Sequence, residues 1–198
     1  MRALIIVDIQ NDFLPGGSLA VDKGDTIIPL INQMQHDYEL VVATQDWHPA
    51  NHKSFASQHA EKNEYEIIEF NGLQQTLWPE HCVQGTERAA FSRELDTNKI
   101  EAIFRKGMDE NIDSYSGFYD NGKLKSTGLA DYLKGRNVYS VDICGLAADY
   151  CVYFTATDAL ELGFTTAIIE NATKPIDAAN FEKLKTIFIN KGGSIRNI

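Results

Sequence analysis

The sequence has few cysteines, few clustered basic residues and no long apolar run. Its three cysteines, Cys82, Cys144 and Cys151, are an odd number, and their spacings fit neither a disulfide framework nor a cysteine-rich zinc site. We therefore expect reduced thiols, of which one or two at most take part in chemistry. No apolar stretch approaches the length of a membrane span, and Met1 leads directly into a strand pattern instead of a signal peptide. These absences predict a cytoplasmic protein with no membrane partner.

Basic charge is scarce as well. The chain has 18 Lys and Arg against 28 Asp and Glu, which gives a net charge of −10. Because nucleic acids and anionic membranes attract clustered basic residues, neither is an expected partner. A glycine-rich phosphate fingerprint is also missing, since Leu14-Pro15-Gly16-Gly17 lacks the G-x-G-x-x-G or Walker spacing. The oligomeric state is left open, with a homo-oligomer among the alternatives.

Apolar strands alternate with amphipathic helices along the chain. Short and nearly continuous apolar runs are typical of parallel strands that are buried on both faces. The alternation predicts an α/β fold, a doubly wound parallel sheet with helices on both faces, in one domain over residues 1–198. Asp177 is expected to cap the last helix, and Asp25 the first. The predicted strands are 2–8, 39–46, 99–105, 137–144 and 164–170.

Residues 56–99 are the least regular part of the chain. They are polar and aromatic, and one short strand is expected at 65–70. Long irregular segments inside a compact domain are usually functional loops. We interpret this segment as a loop that contributes to a site.

Three reactive side chains follow predicted strands. Asp8, Lys106 and Cys151 should meet at one edge, because ligands of such sheets bind outside the carboxyl ends of the strands. A thiol at a helix N-terminus is favoured as thiolate, a carboxylate can take its proton, and an ammonium can stabilise the thiolate. Each residue alone also has an ordinary structural explanation: a strand-end cap, a solvated charge and a buried core cysteine. Together they suggest a cysteine nucleophile.

A second group has the composition of a metal site. Two imidazoles and a carboxylate suit zinc, iron or manganese, with positions left open for water or a ligand. Histidines in loops are also commonly solvated, so the pattern alone leaves both interpretations open. The candidate ligands are Asp46, His48 and His81, with Ser54 or His52 as a further contact.

Aromatic residues in loops form a third group. Phe13, Trp78, Tyr115 and Tyr150 lie near the proposed chemistry in the sequence and could line a slot for a flat ring. Loop aromatics also commonly anchor loops to a core. The pattern alone does not decide between these roles.

Short motifs surround these candidate residues along the whole chain. In chain order they are Val7-Asp8-Ile9-Gln10-Asn11-Asp12-Phe13, Pro15-Gly16-Gly17, Asp46-Trp47-His48-Pro49, Ser54-Phe55, Trp78-Pro79-x-His81-Cys82-Val83-x-Gly85-Thr86, Arg105-Lys106-Gly107, Tyr115-Ser116-Gly117-Phe118 and Gly145-Leu146-Ala147-Ala148-Asp149-Tyr150-Cys151-Val152. These motifs and their order resemble those of the nicotinamidases, or pyrazinamidases, of the isochorismatase-like cysteine hydrolase superfamily, and the resemblance extends from end to end.

The resemblance implies specific catalytic roles. Cys151 would be the nucleophile, Asp8 the general base and acid, and Lys106 the ammonium that stabilises the thiolate. The backbone N–H groups of Ala147 and Cys151 would form an oxyanion hole. A cis peptide bond would join Leu146 to Ala147.

The resemblance also implies a metal and a substrate. Asp46, His48 and His81 match the ligands of one divalent ion, and Ser54 matches a variable additional position. Zn²⁺ is the expected ion, with Fe²⁺ or Mn²⁺ as alternatives. The ring of a small carboxamide would be bordered by the aromatic residues Phe13, Trp78 and Tyr115, with its nitrogen on the metal.

The implied reaction is hydrolysis of nicotinamide to nicotinate and ammonia, in the service of NAD salvage. One alternative is a relative that acts on another small amide or on an enol ether such as isochorismate, for which no such metal set is expected. Another is a binding module that keeps the fold without turnover, in which case Cys151 would react no faster than free cysteine.

Overall fold

The computed structural model describes all 198 residues, and a six-stranded parallel sheet forms its centre. The strands of this sheet are β1 (Arg2–Val7), β2 (Leu40–Asp46), β5 (Ile100–Lys106), β6 (Ser140–Leu146), β7 (Thr165–Lys174) and β8 (Ser194–Arg196). They lie in the order β5-β2-β1-β6-β7-β8. A separate antiparallel hairpin consists of β3 (Ile67–Phe70) and β4 (Leu73–Thr76).

Helices cover both faces of the sheet. They are α1 (Ile28–Met34), α2 (Leu129–Gly135), α3 (Tyr153–Glu161) and α4 (Ala178–Asn190). Since successive side chains of a strand point to opposite faces, Leu4 and Ile6 of β1 pack with α1, whereas Ile5 and Val7 pack with α2, α3 and α4. The predicted doubly wound α/β fold is confirmed. None of these helices combines the length and hydropathy needed to traverse a bilayer.

The strand order reverses direction at β1. The chain passes from β1 to β2 across the α1 face, and later from β6 through β7 to β8 across the opposite face. The crevice of such a sheet therefore opens at the carboxyl ends of β1 and β6. Val7, the last residue of β1, is paired with Gly145 of β6, and Asp46 of β2 is paired with Lys106 of β5. This register places the ends of four strands side by side.

Several local features differ from the sequence-based expectations, and β6 begins at Ser140 and β7 ends at Lys174, whereas 137–144 and 164–170 are expected. The first helix begins at Ile28, not at an Asp25 cap, because Gly24–Ile27 forms a 3₁₀ turn and Pro29 occupies the first helical turn. The expected strand at 65–70 begins at Ile67, and its polar hairpin partner β4 carries no apolar pattern that would predict it. The sixth strand of the main sheet, β8, is not predicted either, because it is only three residues long and has no apolar pattern. The cap by Asp177 is confirmed, since its carboxylate accepts from the N–H groups of Ala179 and Asn180.

A side chain at Gly145 of β6 would collide with the backbone of β1. Its φ is +113°, and a Cβ there would lie 2.0 Å from the carbonyl oxygen of Val7. We expect Gly145→Ala to lower the free energy of unfolding by about 3 kcal/mol or more, because both the backbone conformation and the strand spacing would have to change. Urea unfolding measures the effect.

Gly135→Ala is the matched control. A Cβ at Gly135 meets no atom within 4 Å, so this variant should be neutral or more stable by up to about 1 kcal/mol. Equal unfolding midpoints for the two variants would show that the close approach at Gly145 does not limit stability.

Candidate active site

The Lys106 ammonium lies at the centre of the candidate site. Its Nζ is 3.0 Å from Asp8 Oδ2 and 3.4 Å from Cys151 Sγ. It also lies 3.0 Å from Asp46 Oδ1 and donates to the Ser114 carbonyl at 3.0 Å. All four charged or thiol side chains are buried. The structure thus brings Asp8, Lys106 and Cys151 together and adds Asp46, a candidate metal ligand, to the same network.

The two carboxylates beside Lys106 have pKa values that shift in opposite directions. Burial raises the pKa of Asp8, although Lys106 acts to lower it. Burial also acts to raise the pKa of Asp46, but His48 and Lys106 outweigh it and hold that pKa well below its usual range. These directions favour the ionised form of Asp46, which a metal ligand requires, and make Asp8 the better proton acceptor of the two carboxylates.

The environment of the Cys151 thiol favours its protonated form. Burial raises its pKa well above the usual range, and Lys106 only partly offsets this. The helical segment begins earlier than expected, because Cys151 lies inside a π-helical turn, Ala148–Val152, and not at its first residue. The role of Cys151 as nucleophile stays a prediction. Activation of this thiol requires a base. Asp8 is available for that role, since Lys106 Nζ lies 3.0 Å from Asp8 Oδ2 and 3.4 Å from Cys151 Sγ, which places the carboxylate and the thiol beside the same ammonium.

The turn before Cys151 has an unusual backbone. The Leu146–Ala147 peptide bond is cis, as predicted. The Ala147 carbonyl accepts from the N–H groups of Tyr150 and Val152, each at 3.1 Å. Ala147 and Cys151 line the same cavity. Their part in an oxyanion hole stays a prediction.

Asp46, His48 and His81 form a group with the chemistry of a metal site. The Nε2 atoms of His48 and His81 lie 3.0 and 3.3 Å from Asp46 Oδ2. Their Nδ1 atoms face the carbonyls of Gly107 and Pro79 at 2.9 and 2.8 Å, so Nδ1 is the natural donor on each ring. That tautomer points two Nε2 lone pairs and a carboxylate oxygen at one another. Converging acceptors of this kind fit a cation.

Ser54 and His52 bond to each other. The Ser54 hydroxyl lies 2.7 Å from His52 Nδ1, and the Ser54 N–H donates to the same nitrogen at 3.1 Å. Burial and the neighbouring His48 lower the pKa of His52 to about 4, so the ring is neutral. Ligand atoms of His52, His48 and Asp113 lie within 4.8 Å of one another, a grouping that the sequence did not indicate. A role for Ser54 as a fourth ligand stays a prediction.

An aromatic cavity opens onto these groups. Its empty volume is about 340 Å³, and Asp46, His81 and Cys151 are among its lining residues. The predicted ring-lining residues Phe13, Trp78 and Tyr115 all contribute to its wall, together with Tyr150. The Tyr150 ring meets those of Trp78 and Tyr115 edge to face, with centroids 4.9 and 5.4 Å apart. Lining residues that sequence reasoning missed, since no motif or periodicity singles them out, are Leu19, Asp113 and Ile176.

Side chains of the loop after β1 form hydrogen bonds with the backbone at or next to two candidate metal ligands, Asp46 and His81. The Gln10 side-chain amide accepts from the Asp46 N–H and donates to the Asp46 carbonyl, both at 2.8 Å. Asp12 Oδ2 accepts from the Cys82 N–H at 2.7 Å, directly beside His81. Gln10 and Asp12 are both buried. These bonds fix the backbone at Asp46 and next to His81 relative to the end of β1.

A buried thiol beside a carboxylate and an ammonium is the arrangement by which hydrolases form a covalent bond through cysteine. The parallel α/β sheet and the side chains at its carboxyl edge have the features of a hydrolase of that class. Comparison with family models goes further: the Isochorismatase domain model matches residues 2–192, and the chain belongs to that family.

Similar proteins are nicotinamidases. A nicotinamidase of Acinetobacter baylyi is 50% identical over 175 residues, which cover 88% of this chain and 82% of that protein. The solved nicotinamidase/pyrazinamidase of Acinetobacter baumanii has a TM-score of 0.97 at 46% identity, over 99% of this chain and 95% of that one. The pyrazinamidase of Pyrococcus horikoshii, solved in complex with zinc, has a TM-score of 0.82 at 37% identity, over 100% and 99% of the two chains.

The support from Gln10 can be tested by metal affinity. Gln10→Glu keeps the side chain's size but replaces its donor by a carboxylate that faces the carbonyls of Asp46 and Ala89. We expect the dissociation constant for Zn²⁺, measured by competition with a chelator, to rise by about tenfold or more, because residues that orient ligands typically contribute that much.

Gln33→Glu makes the same change of charge at an exposed position on α1 and should leave zinc affinity unchanged. If Gln10→Glu lowers the melting temperature yet binds zinc as tightly as the wild type, Gln10 supports the fold and not the metal site.

Proposed function

We propose that this chain is an amidohydrolase that converts nicotinamide, and analogues such as pyrazinamide, to nicotinate and ammonia through a Cys151 thioester. The observation that carries the proposal is the shared cavity, in which a nucleophilic thiol and a group of metal donors face one aromatic slot. A pyridine carboxamide has the two matching features, a ring nitrogen and a carbonyl carbon. The activity named for the similar proteins supports the same conclusion.

The substrate ring would lie among Phe13, Trp78 and Tyr115, which offer flat apolar surfaces. When bound by Asp46, His48 and His81, a divalent ion supplies a Lewis acid that holds the ring nitrogen. We propose Zn²⁺, because two imidazoles and one carboxylate with open positions are a common zinc set, and because a similar protein was solved with zinc. Holding the ring in this way would orient the carboxamide carbon toward the thiol.

In the first half of the proposed reaction, Asp8 takes the Cys151 proton while the sulfur attacks the carboxamide carbon. The charge on the carbonyl oxygen would be stabilised by the N–H groups of Ala147 and Cys151. Asp8 then gives its proton to the nitrogen, the C–N bond breaks, and ammonia leaves a thioester on Cys151. Lys106 would stabilise the developing negative charge at the sulfur, which it contacts.

In the second half, Asp8 takes a proton from water, and the oxygen attacks the thioester carbonyl. The C–S bond breaks, Cys151 recovers the proton from Asp8, and nicotinate leaves. Asp8 can serve in both halves because burial raises its pKa, so that it accepts a proton readily and returns it later. We place this reaction in the cytoplasm, where the three free thiols would stay reduced.

The covalent step is tested by ammonia release. Purified, zinc-loaded protein should form ammonia and nicotinate from nicotinamide in equal amounts. Cys151→Ala should lower the rate by about a thousandfold or more, because loss of a nucleophile removes the covalent route.

Cys144→Ala is the control, since Cys144 lies on β6 within the core and away from the cavity. This variant should keep its turnover number even if it unfolds at a lower temperature. Failure of the wild type to release ammonia from nicotinamide, or full activity of Cys151→Ala, would refute the proposed function.

Metal removal separates this proposal from a relative that acts on another amide or on an enol ether. Dialysis against a chelator should abolish ammonia release, and zinc should restore it, because the ring would lose its attachment. Elemental analysis of the same samples gives the metal content. Full activity of metal-free protein, or a purified protein that binds no divalent ion, would favour the alternative substrates.

A further inference from the structure

Ile176 stands at the mouth of the active-site cavity. Of the eleven residues that line the cavity, it is the one exposed residue, with 40% of its surface accessible, whereas the others are buried or half-buried. It lies in the short link between β7, which ends at Lys174, and α4, which begins at Ala178. The side chain is apolar, so it adds a surface of the same character to the aromatic wall.

The aromatic part of the wall is held by contacts among its own side chains and with the core. The Trp78 indole N–H donates to the Tyr115 hydroxyl at 3.3 Å, and the ring of Tyr150 packs against both. Phe13 belongs to the core cluster under α1 and lies against the His81 ring. Ile176 is the most exposed residue of the wall, so additional substrate volume would meet it on the way to solvent.

Asp149 fixes the position of Ile176. Its buried carboxylate accepts from the Ile176 N–H at 2.8 Å and from the Asp177 N–H at 2.9 Å. Asp149 lies two residues before Cys151 in the same π-helical turn. Asp177 in turn caps α4. Ile176 is therefore connected through Asp149 to the turn that contains Cys151, and through Asp177 to the start of α4.

We propose that Ile176 is a specificity-determining residue, positioned by Asp149, that restricts the substrate to small unsubstituted ring carboxamides. Ring carboxamides with a further substituent directed at the mouth are excluded, because the substituent and the Ile176 side chain would occupy the same space. The identification of the substrate as a ring carboxamide rests on the proposed function. The proposal that Ile176 narrows access to Cys151 does not depend on the identity of the substrate.

The first test compares substrates. Ammonia release is measured from nicotinamide and from nicotinamides with one methyl group at ring carbon 5 or 6. We expect Ile176→Ala to raise kcat/KM for at least one methylated amide, relative to nicotinamide, by about tenfold or more, the usual discrimination of one methyl group in an apolar pocket. For nicotinamide itself, we expect Ile176→Ala to lower kcat/KM by raising KM, with little change in kcat. Ile189→Ala, at an isoleucine of α4 that is 53% exposed and outside the cavity wall, is the matched control.

The second test needs no amide turnover. Cys151 is alkylated with iodoacetamide and with its bulkier N-phenyl derivative, and the modified residue is identified by peptide mass analysis. Ile176→Ala should raise the rate for the bulky reagent relative to the small one by about tenfold, with a smaller rise for Ile176→Val. Asp149→Asn should shift the ratio in the same direction, because an amide offers one acceptor where the carboxylate offered two.

The two tests distinguish an error in the proposed function from an error in the proposed role of Ile176. If the wild type releases no ammonia but the alkylation ratio shifts as expected, the proposed function is wrong and the role of Ile176 stands. If nicotinamide is hydrolysed but neither the substrate ratio nor the alkylation ratio changes in Ile176→Ala, the role of Ile176 is refuted.

Discussion

The candidate site depends on one buried ammonium and the three groups around it. Transfer of an isolated charge into a protein interior costs several kcal/mol, so each charge here requires the others. Lys106 is held by Asp8 and Asp46 at 3.0 Å each and contacts the Cys151 sulfur. The proposed catalytic residues and the candidate metal ligands therefore form one electrostatic unit. A change to any member changes the charge balance for all of them.

The parallel sheet explains how four distant segments supply this unit. Strands β5, β2, β1 and β6 are neighbours, and all end at the same edge. The pairing of Asp46 with Lys106 and of Val7 with Gly145 sets the height at which each side chain emerges. Because a slip of one residue turns every side chain of a strand to the opposite face, the buried strand pattern also fixes the site. Fold stability and site geometry rest on the same register.

The segments after β1 and β6 are organised in the same way. Each carries one proposed reactive residue, Asp8 or Cys151, and a further carboxylate or amide whose partners are backbone groups. Gln10 holds the peptide groups of Asp46, and Asp149 holds those of Ile176 and Asp177. Buried polar side chains used in this way keep loops in place where no regular secondary structure can do so. The metal-donor group and the cavity mouth both depend on such bonds.

The main strands of the sheet and the candidate residues at its carboxyl edge can be read from the amino-acid sequence alone. Continuous apolar runs are readable locally, and a polar residue that ends such a run, like Asp8 or Asp46, must appear at the carboxyl edge. Other properties follow only from the tertiary structure. They are the pKa of Cys151, the hydrogen bond between Ser54 and His52, the strand β8 and the place of Ile176. Burial and contact between segments far apart in the chain set these properties, and no local pattern carries that information.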